Sequence, residues 1–157
     1  MKLLFKQKLF SWFDSYDIYN ENNEIVFSVK GQLSWGHKFE IYDRDGNYLV
    51  TVKQVIFSWL PRYEIYEGEN FKGSIKKEFS WFKPKFTIDV NNWHVEGDFL
   101  QWDYTIVDGS NNIIATISKE LFNLTDTYVI DVNMDENGLY AMIVVIVIDA
   151  IKCSQKN

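Results

Sequence analysis

The sequence predicts a mainly β protein (α+β) in which a closed antiparallel barrel of about twelve strands surrounds a buried hydrophobic helix near the C-terminus. Three observations lead to this fold class. A tripeptide motif, aromatic–x–Ile, recurs six times in 157 residues. Polar turn sequences separate stretches in which apolar and polar residues alternate. The apolar run Leu139–Ile151 then follows the last copy of the motif. A chain of this length can bury one core, so a single domain, 1–157, is expected.

The repeat consists of two elements that keep the same phase. Copies of the aromatic–x–Ile motif begin at Tyr16, Phe39, Tyr63, Phe86, Tyr104 and Tyr128, at steps of 23, 24, 23, 18 and 24 residues. A second element precedes the first four copies: Phe10-Ser11-Trp12, Leu33-Ser34-Trp35, Phe57-Ser58-Trp59 and Phe79-Ser80-Trp81. Regular self-similarity indicates a repeated structural unit. A stacking platform for a ligand is one interpretation of the four tryptophans, but we expect them to make equivalent packing contacts at a barrel rim.

Each unit reads as a β-hairpin, in which the motif strand is followed by a polar turn and a second alternating strand. The second strands are expected to turn one apolar face inward: Ile25, Phe27, Val29; Tyr48, Val50, Val52; Phe71, Gly73, Ile75; and Ile113, Ala115, Ile117. One apolar face per strand predicts a sheet with one buried face and one solvent-exposed face. Five hairpins, an initial strand at Leu3–Leu9 and a last strand at Tyr128–Val132 make about twelve strands. An open twisted sheet rarely holds so many, and closure removes its edges.

The apolar run Leu139–Ile151 is ambiguous by itself. Its β-branched residues favour a strand, whereas its length of 13 residues and its apolar character on all sides favour a surrounded helix. A barrel of twelve strands is too wide to be filled by its own side chains. We therefore predict a helix at about 137–151 inside the lumen. A membrane span needs about 20 apolar residues, so we expect this segment to be part of the protein core and not a transmembrane helix.

Composition argues against several functional classes. The formal net charge of −6 disfavours nucleic-acid binding, which depends on Lys and Arg neutralising phosphates. The single cysteine, Cys153, permits no internal disulfide, and the N-terminal residues lack the apolar core of a signal peptide, so a cytoplasmic protein is expected, peripheral to the membrane if it binds lipid.

Motifs for catalysis or metal binding are missing from the sequence. The two histidines, His37 and His94, are far apart, and His94 is expected to point away from the barrel interior. No nucleophile elbow, phosphate-binding glycine loop or dinucleotide fingerprint occurs. The segment Asp131–Gly138 begins like a calcium loop but lacks its glycine and its final glutamate, so it is interpreted as a turn that caps the helix. We expect no enzyme, no cofactor and no metal site.

One basic stretch stands out on the acidic chain. The stretch contains a single acid, Glu78. Its five lysines are Lys72, Lys76, Lys77, Lys83 and Lys85. Lys72 and Lys76 are expected to share the outer face of one strand. Such a stretch can attract anionic lipid headgroups, although surface lysines also keep sheets soluble.

Hairpins repeated through the chain and followed by an apolar C-terminal helix resemble the tubby C-terminal-like superfamily, and within it the LURP-one-related family. The resemblance covers essentially the whole chain, from the aromatic–x–Ile units to LYAMIVVIVIDAI. It implies a tubby-like barrel; tubby proteins bind phosphoinositides through basic residues on the barrel. Phospholipid scramblases are similar too, but the sequence has neither their cysteine-rich segment nor the membrane anchor that follows it.

The expected function is a tubby-like, non-enzymatic binding or scaffolding module of unknown ligand, with an unknown protein or an anionic lipid headgroup as its partner. The alternative is peripheral binding of anionic phospholipid or phosphoinositide headgroups through the five lysines. A second alternative is an unrecognised hydrolase, which would need a concave pocket with convergent polar groups.

Overall fold

The computed structural model describes residues 1–5, 15–32, 34–122 and 125–155. Within these residues the chain forms twelve β-strands, two short 3-10 turns at Phe99–Gln101 and Asp135–Asn137, and one α-helix. The elements are β1 (Lys2–Phe5), β2 (Tyr16–Tyr19), β3 (Ile25–Gly31), β4 (Lys38–Asp43), β5 (Tyr48–Gln54), β6 (Arg62–Glu67), β7 (Asn70–Glu78), β8 (Lys85–Ile88), β9 (Trp93–Asp98), β10 (Asp103–Val107), β11 (Ile113–Phe122), β12 (Thr125–Val132) and α1 (Gly138–Gln155).

The twelve strands form one closed barrel, which confirms the predicted fold class. Each strand pairs antiparallel with its neighbours in sequence, and β1 closes the sheet by pairing with both β12 and β2. The strand predicted at Leu3–Leu9 is described as far as Phe5. Residues 6–9 of that prediction, and the first tryptophan element, lie outside the described residues.

The aromatic–x–Ile repeat is the inner lining of the barrel. Residues two apart in a strand share a face, so the aromatic residue and the isoleucine of each copy turn the same way. The six isoleucines are at most 1% exposed and come from every even-numbered strand: Ile18, Ile41, Ile65, Ile88, Ile106 and Ile130. They surround the helix with β-branched side chains, which have few rotamers and suit a close-packed interior.

Helix α1 fills the lumen, as predicted, and is longer than the sequence indicated. It ends at Gln155, about one turn beyond Ile151, and its 18 residues span about 27 Å. Every residue from Ala141 to Ile151 is buried. The segment Asp135–Ser154 is long and apolar enough to cross a membrane, but 67% of its most apolar 18-residue stretch is buried inside the protein. The helix is therefore the core of the barrel.

A repeated β-bulge corrects the predicted strand faces. In four hairpins the register shifts by one residue near the turn, which leaves Val26, Leu49, Lys72 and Ile114 as the extra residues. A bulge reverses the alternation beyond it, because one residue has no partner across the ladder. Ile25, Tyr48, Phe71 and Ile113 were expected on the inner face, and all four are exposed instead.

The polar turns share one hydrogen-bonding pattern. In three of them a side chain at the end of a strand accepts hydrogen bonds from the backbone N–H groups two and four residues later; these side chains belong to Asn20, Asp43 and Asp108. The bonds favour the ionised carboxylate, so the side-chain amide of Asn112 and the turn N–H groups lower the pKa of Asp108. Such side chains specify a tight turn and so position the strands that follow.

Candidate functional site: the aromatic end of the barrel

The two ends of the barrel carry different connections. Because neighbouring strands are antiparallel, each connection from an odd to an even strand lies at one end, and each from an even to an odd strand lies at the other. We call the second the turn end; it holds residues 20–24, 44–47, 68–69, 89–92, 108–112 and 133–137. The opposite end has the described connections 32–37 (apart from residue 33), 55–61, 79–84 and 99–102.

Exposed apolar side chains are concentrated at the end opposite the turns. Among the described residues, all seven large apolar side chains that are at least 68% exposed lie in its connections. Together with Ile56, which is 50% exposed, we call them the aromatic rim: Trp35, Ile56, Phe57, Trp59, Phe79, Trp81, Phe82 and Leu100. At the turn end the most exposed large apolar side chain is Ile113, at 56%. Large exposed apolar patches are uncommon on soluble monomers and mark surfaces that bind something.

The tryptophans of the repeat lie at a barrel rim, as predicted, but the predicted packing is wrong for those that the structure describes. Trp35, Trp59 and Trp81 are 89%, 98% and 84% exposed. The connections that carry them project beyond the strand ends, where no neighbouring strand covers a side chain. Phe79 and Trp81 meet edge to face, with ring centroids 5.2 Å apart. Trp12 lies outside the described residues.

Backbone hydrogen bonds close the base of these connections. The Gln32 amide donates to the Lys38 carbonyl and the Val55 amide to the Arg62 carbonyl, each at 2.9 Å. The Lys77 amide bonds the Pro61 carbonyl, also at 2.9 Å, which joins one connection to the next strand. These bonds hold the bases of the first two connections and attach the second to β7.

A buried histidine lies beneath this end. His37 is 4% exposed; its amide donates to Gln54 Oε1 at 2.9 Å, and its ring nitrogen Nδ1 hydrogen-bonds the Tyr63 hydroxyl. Burial lowers the pKa of His37 to about 4, and burial raises the pKa of Tyr63, with Cys153 adding to that effect. His37 is therefore neutral at physiological pH and supports the connection that carries Trp35.

Charge differs sharply between the two ends. In the described residues of the rim connections the one charged side chain is Lys83. The connections of the turn end carry eight acidic residues and one arginine: Glu21, Glu24, Arg44, Asp45, Glu69, Asp89, Asp108, Asp135 and Glu136. The strand ends next to the tryptophan connections add Lys53, Arg62, Lys77 and Lys85. Five acids of the described strands stand within one residue of a rim-side strand end, namely Asp17, Glu78, Asp98, Asp103 and Asp126, and two of them flank the 99–102 connection.

The five lysines of the basic stretch do not form one patch. Lys72 is the extra residue of a bulge, and its ammonium lies 3.2 Å from Glu67 near the turn end. Lys76 lies on the wall of the barrel, 3.8 Å from Asp89. Lys77, Lys83 and Lys85 lie toward the aromatic rim. Their binding of lipid headgroups stays a prediction.

The outer wall next to the rim carries two adjoining grooves of about 780 Å³ and 660 Å³. They share Lys83, Pro84, Glu96, Gly97 and Phe99. His94 points outward, as predicted, and its Nε2 hydrogen-bonds Glu96 Oε1 at 3.0 Å. The one serine in the grooves, Ser80, hydrogen-bonds the Lys83 amide and makes no bond to His94. Ser80 and His94 therefore do not form a nucleophile–base pair in these grooves.

No cluster of three or more His, Cys, Asp and Glu side chains that could hold a metal occurs within the part of the chain that the structure describes. The calcium-like segment forms the end of β12 and a 3-10 turn. In it the Asn137 side-chain amide donates to Asn133 Oδ1 at 3.1 Å. The segment is thus a turn directly before the helix, and a helix cap through Asn137 or a nearby acid stays a prediction.

Sequence reasoning missed the non-tryptophan members of the aromatic rim, chiefly Phe57, Phe82 and Leu100. A signal was available. Once a twelve-stranded meander is drawn, the connections that contain Trp35, Trp59 and Trp81 fall at one end and contain no acid, whereas the acidic turns 21–24, 44–47 and 133–137 fall at the other. Connections without acidic residues are unusual at a solvent-exposed surface. Their lack of charge indicates that this end of the barrel binds a partner.

Comparison with known proteins agrees with the architecture. The sequence profile of the LURP-one-related family matches residues 1–149. The uncharacterized protein YxjI of Bacillus subtilis (strain 168) is 32% identical over 152 residues, which cover 96% of this chain and 93% of that protein. The X-ray structure of an Arabidopsis thaliana protein is similar in fold, with a TM-score of 0.61 and 16% identity over 92% of this chain and 89% of the other. A match that spans nearly the whole length places this chain in the LURP-one-related family.

Proposed function

We propose that the protein is a non-enzymatic binding module whose recognition surface is the aromatic rim. One observation carries the proposal: the most exposed apolar side chains of the described chain all project from one end of the barrel. Keeping apolar surface in water is unfavourable by about 25 cal/mol per Å². Exposed apolar side chains at the loop tips do not stabilise the barrel, so we attribute them to binding.

The rest of the molecule acts as a rigid support for this surface. A closed sheet leaves no strand edge for pairing with another chain, and the lumen is filled by the protein's own helix. Binding through an open edge or inside the barrel is therefore disfavoured. The projecting connections remain as the surface that differs most from an ordinary soluble exterior. The cytoplasmic location expected from the sequence stays a prediction.

Site-specific photocrosslinking tests the proposal without assuming the nature of the partner. A photoreactive phenylalanine analogue replaces Phe57 at the aromatic rim or, as the matched control, Met134 at the turn end; these side chains are 99% and 50% exposed. Irradiation of cells should give a discrete adduct, whether protein or lipid, from the rim position alone. Equal adducts from both positions, or none from Phe57, would refute the assignment.

A second candidate function is headgroup binding through the basic stretch. The half-buried Lys76 and Lys77 line a surface pocket of about 280 Å³ together with Trp59, Arg62 and Glu78. Because Asp89 and Glu64 lie 3.8 Å from Lys76 and Arg62, this candidate depends mainly on Lys77 beside the exposed indole of Trp59. Reversing Lys77 to Glu should weaken capture on immobilised anionic lipid, whereas reversing Lys72, at the other end, should not. Equal binding by both variants would exclude this pocket.

A further inference from the structure

We infer that the partner of the aromatic rim is the surface of an anionic lipid bilayer. The three tryptophan connections enter the interface, and the turn end faces water. This inference rests on the proposed function and names its partner.

The first argument is the shape of the apolar surface. Trp35, Phe57, Trp59, Trp81 and Phe82 are between 84% and 99% exposed, so almost the whole of each side chain projects into solvent, although Trp81 also meets Phe79 edge to face. A protein partner would need a complementary pocket for each one. A bilayer adapts to separate projections at no such cost, and aromatic side chains favour the headgroup level of a membrane.

Connectivity supports simultaneous contact by the three connections. They join β3 to β4, β5 to β6 and β7 to β8, which are consecutive around the barrel. The first two touch: a Cβ placed on Gly36 would lie 3.2 Å from a side-chain carbon of Ile56. The third is joined to the second through the bond between Lys77 and Pro61 at the edge of β7. Several weak insertions on one rigid body act together.

The second argument is the arrangement of charge. Behind the apolar tips stand cations that an anionic surface attracts: exposed Lys53, Lys83 and Lys85, with half-buried Arg62 and Lys77 beside them. Each lysine near such a surface strengthens binding roughly fivefold. The eight acids of the turn end are repelled by the same surface, so the two ends orient the barrel in one direction. Two acids, Asp98 and Asp103, flank Leu100, whereas the three tryptophan connections are flanked by one acid, Glu78, and by several cations, which places the contact on the tryptophan connections.

Vesicle flotation tests the inference with the full chain. The vesicles consist of phosphatidylcholine alone or with added phosphatidylglycerol as the anionic lipid. The rim variant is Phe57→Gln with Trp59→Gln. The matched control is Ile113→Gln with Met134→Gln, which removes exposed apolar side chains from the turn end. Each rim side chain that buries about 60 Å² of apolar area contributes about tenfold in affinity.

The wild-type protein should float with anionic vesicles and weakly or not at all with phosphatidylcholine. The rim variant should lose about a hundredfold in apparent affinity, and the control should bind like the wild type. Melting temperatures of both variants should match that of the wild type, because the substituted side chains are exposed. A rim variant that floats like the wild type overturns the inference, as does wild-type protein that fails to float at low salt.

A charge-matched pair tests the orientation. Lys83→Glu with Lys85→Glu alters the rim side, whereas Arg44→Glu with Lys72→Glu changes the net charge equally at the turn end. The first pair should weaken flotation by more than tenfold. The turn-end pair should change the apparent affinity for the vesicles by only a few-fold. Its charges lie farther from the aromatic rim than the Debye length of about 8 Å, so salt screens them from the bilayer. Equal losses would show that total charge, and not the rim, controls binding.

The outcomes separate this inference from the proposed function. A protein adduct from Phe57 combined with no flotation refutes the bilayer and leaves the aromatic rim as the recognition surface. Sedimentation that shows a dimer in the wild type and a monomer in the rim variant identifies a second copy as the partner, and that result also refutes the bilayer.

Discussion

Truncation of Ile146 to alanine tests whether the helix is the core of the barrel. Ile146 lies in the middle of α1 and is 1% exposed. Replacing a fully buried isoleucine by alanine removes apolar contact and leaves a cavity, which costs about 2–5 kcal/mol. In a domain of 150–250 residues each kcal/mol lowers the melting temperature by about 2–4 °C. A loss near the middle of that range, about 3.5 kcal/mol, predicts a decrease of about 10 °C.

Ile113→Ala is the matched control for that experiment. The side chain is the same, but it is 56% exposed at the start of β11, beside the bulge. Its truncation should cost less than about 1 kcal/mol. Both variants are compared with the wild type by circular dichroism during thermal and urea unfolding. If Ile146→Ala unfolds at the same temperature as Ile113→Ala, the helix does not provide the core and the description of the lumen is wrong.

Three further predictions follow from other parts of the structure. The pKa of His37 is lowered to about 4 in the folded protein, so the unfolded chain binds a proton at this histidine at a higher pH than the folded chain does. The free energy of unfolding should therefore fall as the pH decreases from 6.5 to about 4, by at most about 1.4 kcal/mol per pH unit. His37→Gln should flatten the pH dependence measured by urea unfolding over that interval; an unchanged slope would exclude His37 as its source. Gly97→Ala should lower stability by at least about 2 kcal/mol in the same assay, because its φ is +120° and a Cβ would lie 2.6 Å from the Asp103 carbonyl oxygen. Gly68→Ala, with φ +62° and nothing within 4 Å, should cost about 1 kcal/mol, and equal losses would mean that the close approach at Gly97 is not tight. Asp108→Ala should cost about 1 kcal/mol by removing the acceptor of two turn amides, and thermal unfolding indistinguishable from wild type would show that the turn forms without it.

The barrel was predictable because its repeat has a direct physical meaning. Residues two apart in a strand share a face, so six aromatic–x–Ile copies had to line one surface, and a sheet of twelve strands had to close around something apolar. The segment after Gly138 was the candidate of suitable length. The bulges were not predictable, because a register shift leaves no mark in an alternating pattern until the strands are paired. Ile25 and Ile113 were assigned to the wrong face for this reason.

The candidate site was the least predictable part. A tryptophan at a fixed position in each repeat suggests equivalent packing, since large aromatic side chains usually contribute to cores. Whether Trp59 packs or projects depends on how far its connection extends past the strand ends, which composition does not specify. The lysines were grouped by their closeness in sequence. Folding instead places Lys72 and Lys83 toward opposite ends of the molecule, so a continuous basic stretch became two separate groups.

Hydroxyl-radical footprinting with mass spectrometry tests the central claim most directly, because it reports the exposure of individual side chains with and without a partner. In the protein alone Trp35, Trp59 and Trp81 should oxidise readily, while Trp93 and Trp102, which are 6% and 9% exposed, should stay protected. On anionic vesicles the three rim tryptophans should become protected, and Met134 at the turn end should continue to react. Rim tryptophans that are already protected in the protein alone, or protection that appears at Met134 instead, would contradict binding through the aromatic end.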